Sequence, residues 1–291
     1  MKVFRLFVPV LLCFLFFSCS PEEKTISNTQ EPRVVVALTS SLAEIWLLSG
    51  GEVAATTSDA FDEHRIGVDA SCINLGSVKN PNMEQILALD PDLVLLSPLL
   101  SSHRSIEVHL ASYQIPCISF NLDTPQNYLE ALSWCCNRTG NKEAYQSNGT
   151  AMLARIEKII SDFQGDSHAR VLLVRSHSTK VKALNENSQV GAMLKALSVD
   201  TIASKYPSLL DQLSWEIILK ENPTLILVVP MGDVTVAEAQ MHHMIQENPI
   251  LGEVEAVKQG NVHLLSKELF AYKPNHRWSE SYAYLVSLLR Q

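Results

Sequence analysis

The sequence lacks the short motifs that mark several classes of enzyme. No GxSxG, HExxH, P-loop or GxGxxG pattern occurs in its 291 residues, so the usual signatures of serine hydrolases, zinc proteases and nucleotide-binding enzymes are missing. No HxH or HxxxH pair occurs either, and such close histidine spacing is what favours a bound zinc ion. We therefore predict that the protein is not an enzyme and that it holds no resident cofactor.

Positive charge is scarce as well. The chain has 23 Lys and Arg against 31 Asp and Glu, which gives a formal net charge of −8. A protein that wraps nucleic acid needs a basic surface. The acidic balance therefore argues against a nucleic-acid partner.

The amino-terminal segment is typical of an export signal. Two basic residues precede an apolar run over residues 6–17, which is too short to span a bilayer. A Ser-Cys pair follows, and it resembles a bacterial lipoprotein cleavage site although Phe16 stands where that pattern usually has Leu. We predict a signal peptide over 1–18, lipid attachment at Cys19 and a polar tether over 19–32. An ordinary signal peptide with an incidental cysteine is the alternative.

The remaining cysteines do not define a disulfide framework. Cys72, Cys117, Cys135 and Cys136 allow three pairings, and no CxxC motif selects one of them. An exported compartment permits disulfides, but buried free thiols are equally compatible with the sequence.

From residue 33 onward, short apolar runs alternate with helix-like segments. Runs that are apolar on both faces are typical of parallel strands covered by helices, so the pattern predicts an α/β protein. A long amphipathic helix over 141–166 interrupts the alternation and separates an amino-terminal lobe, 33–140, from a carboxyl-terminal lobe, 167–291. The predicted strands are 34–38, 93–97 and 116–120 before that helix, and 171–176, 225–230 and 262–266 after it.

An internal repeat supports two related lobes. The segments MEQILALDPDLVLLS (83–97) and WEIILKENPTLILVV (215–229) align without a gap and are identical at six of fifteen positions. Each begins after a residue suited to capping a helix, has a Glu in the first helical turn, and continues through a Pro into an apolar strand.

These repeated segments, together with NPILGEVEAVKQGNVHLLSKELFAYKPNHRWSESYAYL (248–285), resemble the ABC-importer binding proteins for iron-siderophores, haem and cobalamin. The resemblance implies two Rossmann-like lobes joined by one long helix, a monomeric protein, and a metal chelate delivered to a permease dimer with little closure of the lobes. It also implies that Glu84 and Glu216 dock the permease, where arginines can hold carboxylates bidentately. Alternatively, both acids only stabilise the positive end of a helix dipole.

In a fold of this type the ligand lies between the lobes, against loops that leave the carboxyl ends of the strands. His177, Tyr272 and Met231 carry atoms able to ligate a metal, while Arg277 is able to meet an anionic group on the chelate. The sequence does not decide whether any of these side chains binds the metal of the chelate directly. The predicted ligand-binding residues are Thr39, Ser40, Phe61, Ser97 and Leu99 in the first lobe, and His177, Met231, Tyr272 and Arg277 in the second.

Two other functions remain compatible with the sequence. One is a receptor for a bare zinc or manganese ion. The other is a lipoprotein that senses or presents a chelate without any transporter. The sequence does not identify the chelate, whether the protein delivers it to an importer or only senses or presents it. In each case the predicted location is extracytoplasmic, with the protein anchored by lipid to a bacterial membrane.

Overall fold

The computed structural model describes residues 32–65, 71–163, 168–177 and 180–291. The predicted signal peptide, the lipidation site at Cys19 and nearly all of the tether lie outside these ranges, as do the last three residues of the predicted linking helix. Within the described ranges, no helix combines the length and the apolar character needed to cross a membrane.

Two sheets lie on either side of the long helix, as the alternation of apolar runs predicted. The first is a five-stranded parallel sheet in the order β3-β2-β1-β4-β5. Its strands are β1 Val35–Ala37, β2 Ala55–Thr56, β3 Ile73–Asn74, β4 Leu93–Leu96 and β5 Cys117–Ser119. Its helices are α1 Ser40–Leu48, α2 Ser58–Asp62, α3 Met83–Ala88, α4 Ser101–Ser112 and α5 Pro125–Thr139. Together these elements form the first lobe.

The linking helix is continuous but not a regular α-helix throughout. It consists of α6 Lys142–Tyr145, a π-helical turn Gln146–Thr150 and α7 Ala151–Phe163. Gly149 lies in the π-helical turn, and a Cβ added there would come within 2.7 Å of a Leu129 methyl carbon. Gly149 is thus the place where α5 packs closely against the linking helix.

The second lobe contains a four-stranded mixed sheet in the order β7-β6-β8-β9. Its strands are β6 Val171–Ser176, β7 Val181–Ala183, β8 Leu225–Pro230 and β9 Val262–Leu264. Its α-helices are α8 Gln189–Ala196, α9 Ile202–Lys205, α10 Trp215–Glu221, α11 Val234–Glu247, α12 Glu255–Lys258, α13 Lys267–Phe270 and α14 Trp278–Leu289. Short 3₁₀ helices cover Pro207–Leu210, Pro249–Glu253 and Asn275–Arg277. The sequence did not predict β7, which pairs antiparallel at the edge of this sheet.

Two helix starts bear on the site. Thr39 caps α1, and its hydroxyl accepts a hydrogen bond from the Leu42 backbone N–H. The α-helical part of the last helix starts at Trp278, after a 3₁₀ turn. That turn begins at Asn275, a buried residue with a positive φ of 52°.

One hydrophobic core crosses from the first lobe to the second. It contains residues from β1, β4 and α5 of the first lobe, from α7, and from β6, β8, α8 and α14 of the second lobe. Helix α14 packs along α7. Two smaller cores lie on the opposite face of each sheet, one in each lobe. One face of the linking helix therefore packs into a core that both lobes share.

Candidate functional site

A cavity of about 200 Å³ opens where the first lobe meets the segment after α13. Loops that follow β1, β4 and β5 form most of it, and Lys273 is contributed by the second lobe. This is the carboxyl edge of a parallel sheet, where ligands of open α/β folds bind. The lining residues are Thr39, Ser41, Leu42, Ser97, Leu99, Leu100, Phe120, Leu122 and Lys273.

Three of the predicted residues therefore come together in this lining: Thr39, Ser97 and Leu99. Leu99 is 52% exposed, which leaves an apolar side chain available to a bulky ligand. Phe120 was not among the predicted residues, although it follows β5 in the way that Ser97 follows β4.

The loop after β4 is held in place by a buried histidine that was not among the predicted residues. The Ser97 backbone N–H donates to Nδ1 of His103 at 3.2 Å, and Nε2 of His103 lies 2.9 Å from the Val78 carbonyl. Burial lowers the pKa of His103. A neutral ring that accepts at Nδ1 and donates at Nε2 satisfies both contacts.

Ser40 and Phe61 lie outside the lining of this cavity. Ser40 is buried, and both of its hydrogen-bond donors are engaged: its N–H donates to Asp59 at 2.8 Å and its hydroxyl donates to Glu63 at 2.7 Å. Phe61 lies on α2 and is half-buried. Their predicted contact with a ligand stays a prediction.

A buried ionic network connects the first lobe to the segment that carries Lys273. Arg65 contacts Glu44 at 2.7 Å and Glu63 at 2.8 Å, and it donates to the Lys273 carbonyl at 3.0 Å. The Asn275 amide donates to the Ser41 carbonyl at 3.0 Å and also to Glu44. The charged side chains are at most 12% exposed. We call these residues the interlobe network.

Desolvation dominates the electrostatics of this network. Burial raises the pKa of Glu63, although Arg65 and the Ser40 hydroxyl both act to lower it. Burial likewise lowers the pKa of the neighbouring His276. Burying an ion pair costs desolvation free energy, and separating a buried pair costs more because each charge is then left without a partner. We therefore expect the network to hold the two lobes at a fixed angle.

Tyr272 lies beside this network. Its ring is 5.8 Å from the Arg65 guanidinium and 4.9 Å from the Lys267 ammonium, distances at which a cation is attracted to an aromatic face. Its carbonyl accepts a hydrogen bond from Gln189 at 3.2 Å. The next residue, Lys273, contacts Asp123 of the first lobe through its ammonium group. The predicted Tyr272 therefore lies at the junction of the lobes.

The other predicted residues of the second lobe occupy different positions. His177 and Met231 follow β6 and β8, and the Met231 N–H donates to the Ser176 carbonyl at 2.9 Å. Arg277 is the last residue of the 3₁₀ turn before α14, and its guanidinium contacts Glu280 in the first turn of α14 at 2.8 Å. The structure thus places His177 and Met231 at the carboxyl edge of the sheet, whereas Arg277 already has an anionic partner.

The two repeated glutamates occupy equivalent positions. Glu84 and Glu216 are each the second residue of a helix, α3 and α10, and both side chains are exposed. Asn82 caps the first helix and Ser214 caps the second, as the repeat predicted. In the described part of the chain, neither carboxylate has a salt-bridge partner. Both are therefore available to a partner protein.

The cysteines and possible metal ligands are arranged as follows. Cys117, Cys135 and Cys136 carry free thiols, and burial raises the pKa of Cys117 to about 11. Among the residues that the structure describes, no three His, Cys, Asp or Glu side chains converge as a metal site.

A larger cavity, of about 480 Å³, opens at the opposite end of β6. Its charged lining residues pair with one another or with near neighbours: Lys195 contacts Asp200 at 2.8 Å and Lys205 contacts Glu221 at 2.9 Å. This pairing leaves little charge for a ligand to satisfy, so the smaller cavity at the lobe junction is the better candidate site.

Comparison with known proteins agrees with this architecture. Residues 35–269 match the sequence profile of a family described as periplasmic binding protein. The petrobactin-binding protein YclQ of Bacillus subtilis is 24% identical over 199 residues, an alignment that covers 67% of this chain and 61% of that protein. The chain thus spans about three fifths of the length of this curated relative.

Solved structures share the fold at low sequence identity. The vitamin B12 binding protein BtuF of Vibrio cholerae superposes with a TM-score of 0.69 and 15% identity, over 89% of this chain and 97% of that protein. IsdE of S. aureus, solved in complex with haem, superposes with a TM-score of 0.70 and 14% identity, over 88% of this chain and 98% of that protein. Both likenesses concern the fold alone.

Proposed function

Because the chain belongs to the periplasmic binding protein family, we propose that it captures a metal chelate outside the cytoplasm and delivers it to an ABC importer. Family membership itself implies an extracytoplasmic location. The observation that carries the proposal is the cavity at the lobe junction, which three loops of the first lobe and Lys273 of the second lobe line together. The related proteins bind a siderophore, vitamin B12 or haem, and these supply the candidate ligand classes.

The lining of the cavity has the chemical character of a ligand site. Its lining is mainly apolar, with Leu99 and Phe120 as large side chains and Lys273 as a charged one. Ligand sites generally combine an apolar wall with a few polar groups that fix the orientation of the ligand. The interlobe network restrains the lobe angle, so binding should proceed without the large hinge closure of other two-lobe receptors.

Tryptophan fluorescence tests ligand capture directly. The Trp134 ring packs edge to face on Phe120, with 5.5 Å between ring centroids, so one aromatic ring separates it from the cavity. Titration with ferric siderophores, haem and cobalamin should quench this emission at micromolar or lower concentration for at least one class. A Trp134→Phe variant should bind equally well, measured by calorimetry, but show a smaller quench. Absence of saturable binding for every class would contradict the proposal.

Delivery is proposed to use Glu84 and Glu216, which present two exposed carboxylates, one on each lobe. Charge reversal of both residues to Lys should abolish chelate uptake by cells while leaving the affinity for the chelate unchanged.

Glu143 provides a matched control for this experiment. It is also an exposed second residue of a helix, capped by Asn141, but it lies on the linking helix. Glu143→Lys should lose the same small helix-dipole energy, about 0.3–1 kcal/mol, and retain uptake. If Glu143→Lys lost as much uptake as charge reversal of Glu84 and Glu216, the effect would come from helix destabilisation and the proposed docking role would be wrong.

We also propose that Cys19 carries the lipid anchor. Cys19→Ser should release the protein from the membrane fraction, and mass spectrometry of the wild-type amino terminus should detect a diacylglyceryl group. A wild-type protein that is released without lipid would refute this part of the proposal.

A further inference from the structure

The loop between β4 and α4 supplies three of the residues that line the cavity: Ser97, Leu99 and Leu100. We call residues 97–100 the β4–α4 loop. Within it, the Leu99 N–H donates to the Ser97 hydroxyl at 3.4 Å, and the Leu100 N–H donates to the Ser97 carbonyl at 3.4 Å. The position of Ser97 therefore sets the position of the other two residues.

His103 attaches the β4–α4 loop to the first turn of α4. Leu100 occupies the capping position before the helix, where its side chain has no atom that accepts a hydrogen bond. His103, the third residue of α4, reaches back instead, as an acidic residue does in a capping box, and its Nδ1 accepts from the Ser97 N–H at 3.2 Å. Its Nε2 lies 2.9 Å from the carbonyl of Val78, which follows β3. The residue is 1% exposed, so it connects two loops of the carboxyl edge from inside the fold.

Only the neutral form of the His103 ring makes both contacts. Protonation places a hydrogen on each ring nitrogen, so that Nδ1 no longer accepts. The Ser97 N–H then faces another N–H at 3.2 Å, and a buried donor that has lost its acceptor is unfavourable. Either the ring turns or the loop shifts, and both changes release Ser97 from its place in the cavity lining.

The surroundings of the ring determine when it takes up a proton. Burial has the largest effect and lowers the pKa of His103, whereas the carbonyl that the ring contacts and the carboxylate of Asp59 on α2 both act to raise it. Lys79 and Arg104, each next to one of the two contacts in the sequence, are exposed. Glu107, one turn further along α4, accepts from a serine hydroxyl at 3.3 Å. The ring is therefore neutral at neutral pH and becomes protonated only in acid.

We propose that His103 is a positioning residue of the ligand site, whose neutral ring holds the β4–α4 loop in the conformation that binds ligand, so that acid weakens binding. This inference rests on the proposed function and adds to it a residue outside the cavity lining. One neutral hydrogen bond corresponds to about fivefold in affinity. The dissociation constant of the ligand should therefore rise by about that factor between pH 7.5 and pH 5.0.

Calorimetry at these two pH values tests the inference. The purified protein is titrated at pH 7.5 with ferrichrome, cyanocobalamin, haem and ferric enterobactin, and the probe that binds most tightly is titrated again at pH 5.0. His103→Gln keeps a donor for the Val78 carbonyl but no acceptor near the Ser97 N–H, so it should weaken binding about fivefold at pH 7.5. His103→Asn restores an acceptor at the position of Nδ1 that does not titrate. It should recover most of the lost affinity and show a smaller fall in affinity at pH 5.0 than the wild-type protein.

His109→Asn is the matched control, because His109 is an exposed histidine on the same helix. It should keep the affinity and the pH dependence of the wild-type protein, and comparison of variants at one pH cancels any titration of the probe itself. Urea unfolding of each variant at both pH values separates loss of binding from loss of the fold. Equal wild-type affinity at the two pH values, undiminished affinity in His103→Gln, or an unchanged pH dependence in His103→Asn would overturn this inference and leave the proposed function standing. Failure of every probe to bind at pH 7.5 would overturn both.

Discussion

Replacement of Glu44 by Gln tests whether the interlobe network stabilises the folded protein. The Glu44 residue is 4% exposed, and its carboxylate accepts from Arg65 at 2.7 Å and from the Asn275 amide. Gln preserves the volume and one acceptor but removes the charge. Arg65 keeps Glu63 and the Lys273 carbonyl as partners.

The expected loss follows from those remaining partners. Removal of one member of a buried ion pair costs about 3–5 kcal/mol when the other charge is left alone. Because Arg65 retains a second carboxylate, we expect a smaller loss of about 2–3 kcal/mol in the free energy of unfolding. For a chain of this size, that loss lowers Tm by roughly 4–8 °C.

Urea unfolding followed by circular dichroism at 222 nm measures this loss, with Glu52→Gln as the control because Glu52 is exposed in the same lobe. The control should change stability by less than about 0.5 kcal/mol. A double-mutant cycle with Asn275→Gly, which tolerates the positive φ, should give a coupling energy of about 0.5–3 kcal/mol. A loss below about 1 kcal/mol for Glu44→Gln, or zero coupling, would refute the view that these contacts act together.

Three further predictions concern other parts of the fold. Because burial lowers the pKa of His103, the unfolded chain binds a proton there that the folded protein does not, so the contribution of His103 to stability should be fully present above about pH 6.5 and fall below it; urea unfolding at pH 7.5 and 5.5 should show this fall, and His103→Gln should make it smaller, with a remainder from His276, whose pKa is lowered in the same way. Gly149→Ala should destabilise the protein by about 1–2 kcal/mol, since overpacking against Leu129 outweighs the gain in helix propensity, whereas Gly252→Ala, with open space around it, should be neutral in the same assay. The Cys135 thiol, whose pKa burial raises, should react with a thiol reagent only after unfolding, and fast reaction in the native protein would contradict its burial.

The strands were predictable because their chemistry is local. β1, β4 and β8 are buried on both faces, and only a covered parallel sheet requires an unbroken apolar run. The same rule places loops at the carboxyl edge, and the predicted residues Thr39, Ser97 and Leu99 lie in or next to such loops beside the cavity. β2 and β3 have two residues each, too few to establish a periodicity.

The interlobe network was not predictable by the same reasoning. Glu44 and Asn275 are 231 positions apart in the sequence, and no local pattern connects them. One signal was present: Glu44 lies within the apolar stretch LAEIWLL, and a carboxylate inside a buried helix face implies a partner. The identity of that partner depends on how the two lobes pack, and the spacing of residues in the sequence does not reveal this.

The shared core has a consequence for how the chain acquires its structure. Core residues of the first lobe rest against α7, and α7 is covered in turn by α14, the last helix of the sequence. A chain that folds in amino-to-carboxyl order leaves this apolar surface uncovered until α14 packs on α7. We therefore expect the first lobe to complete its core only when the second lobe is present.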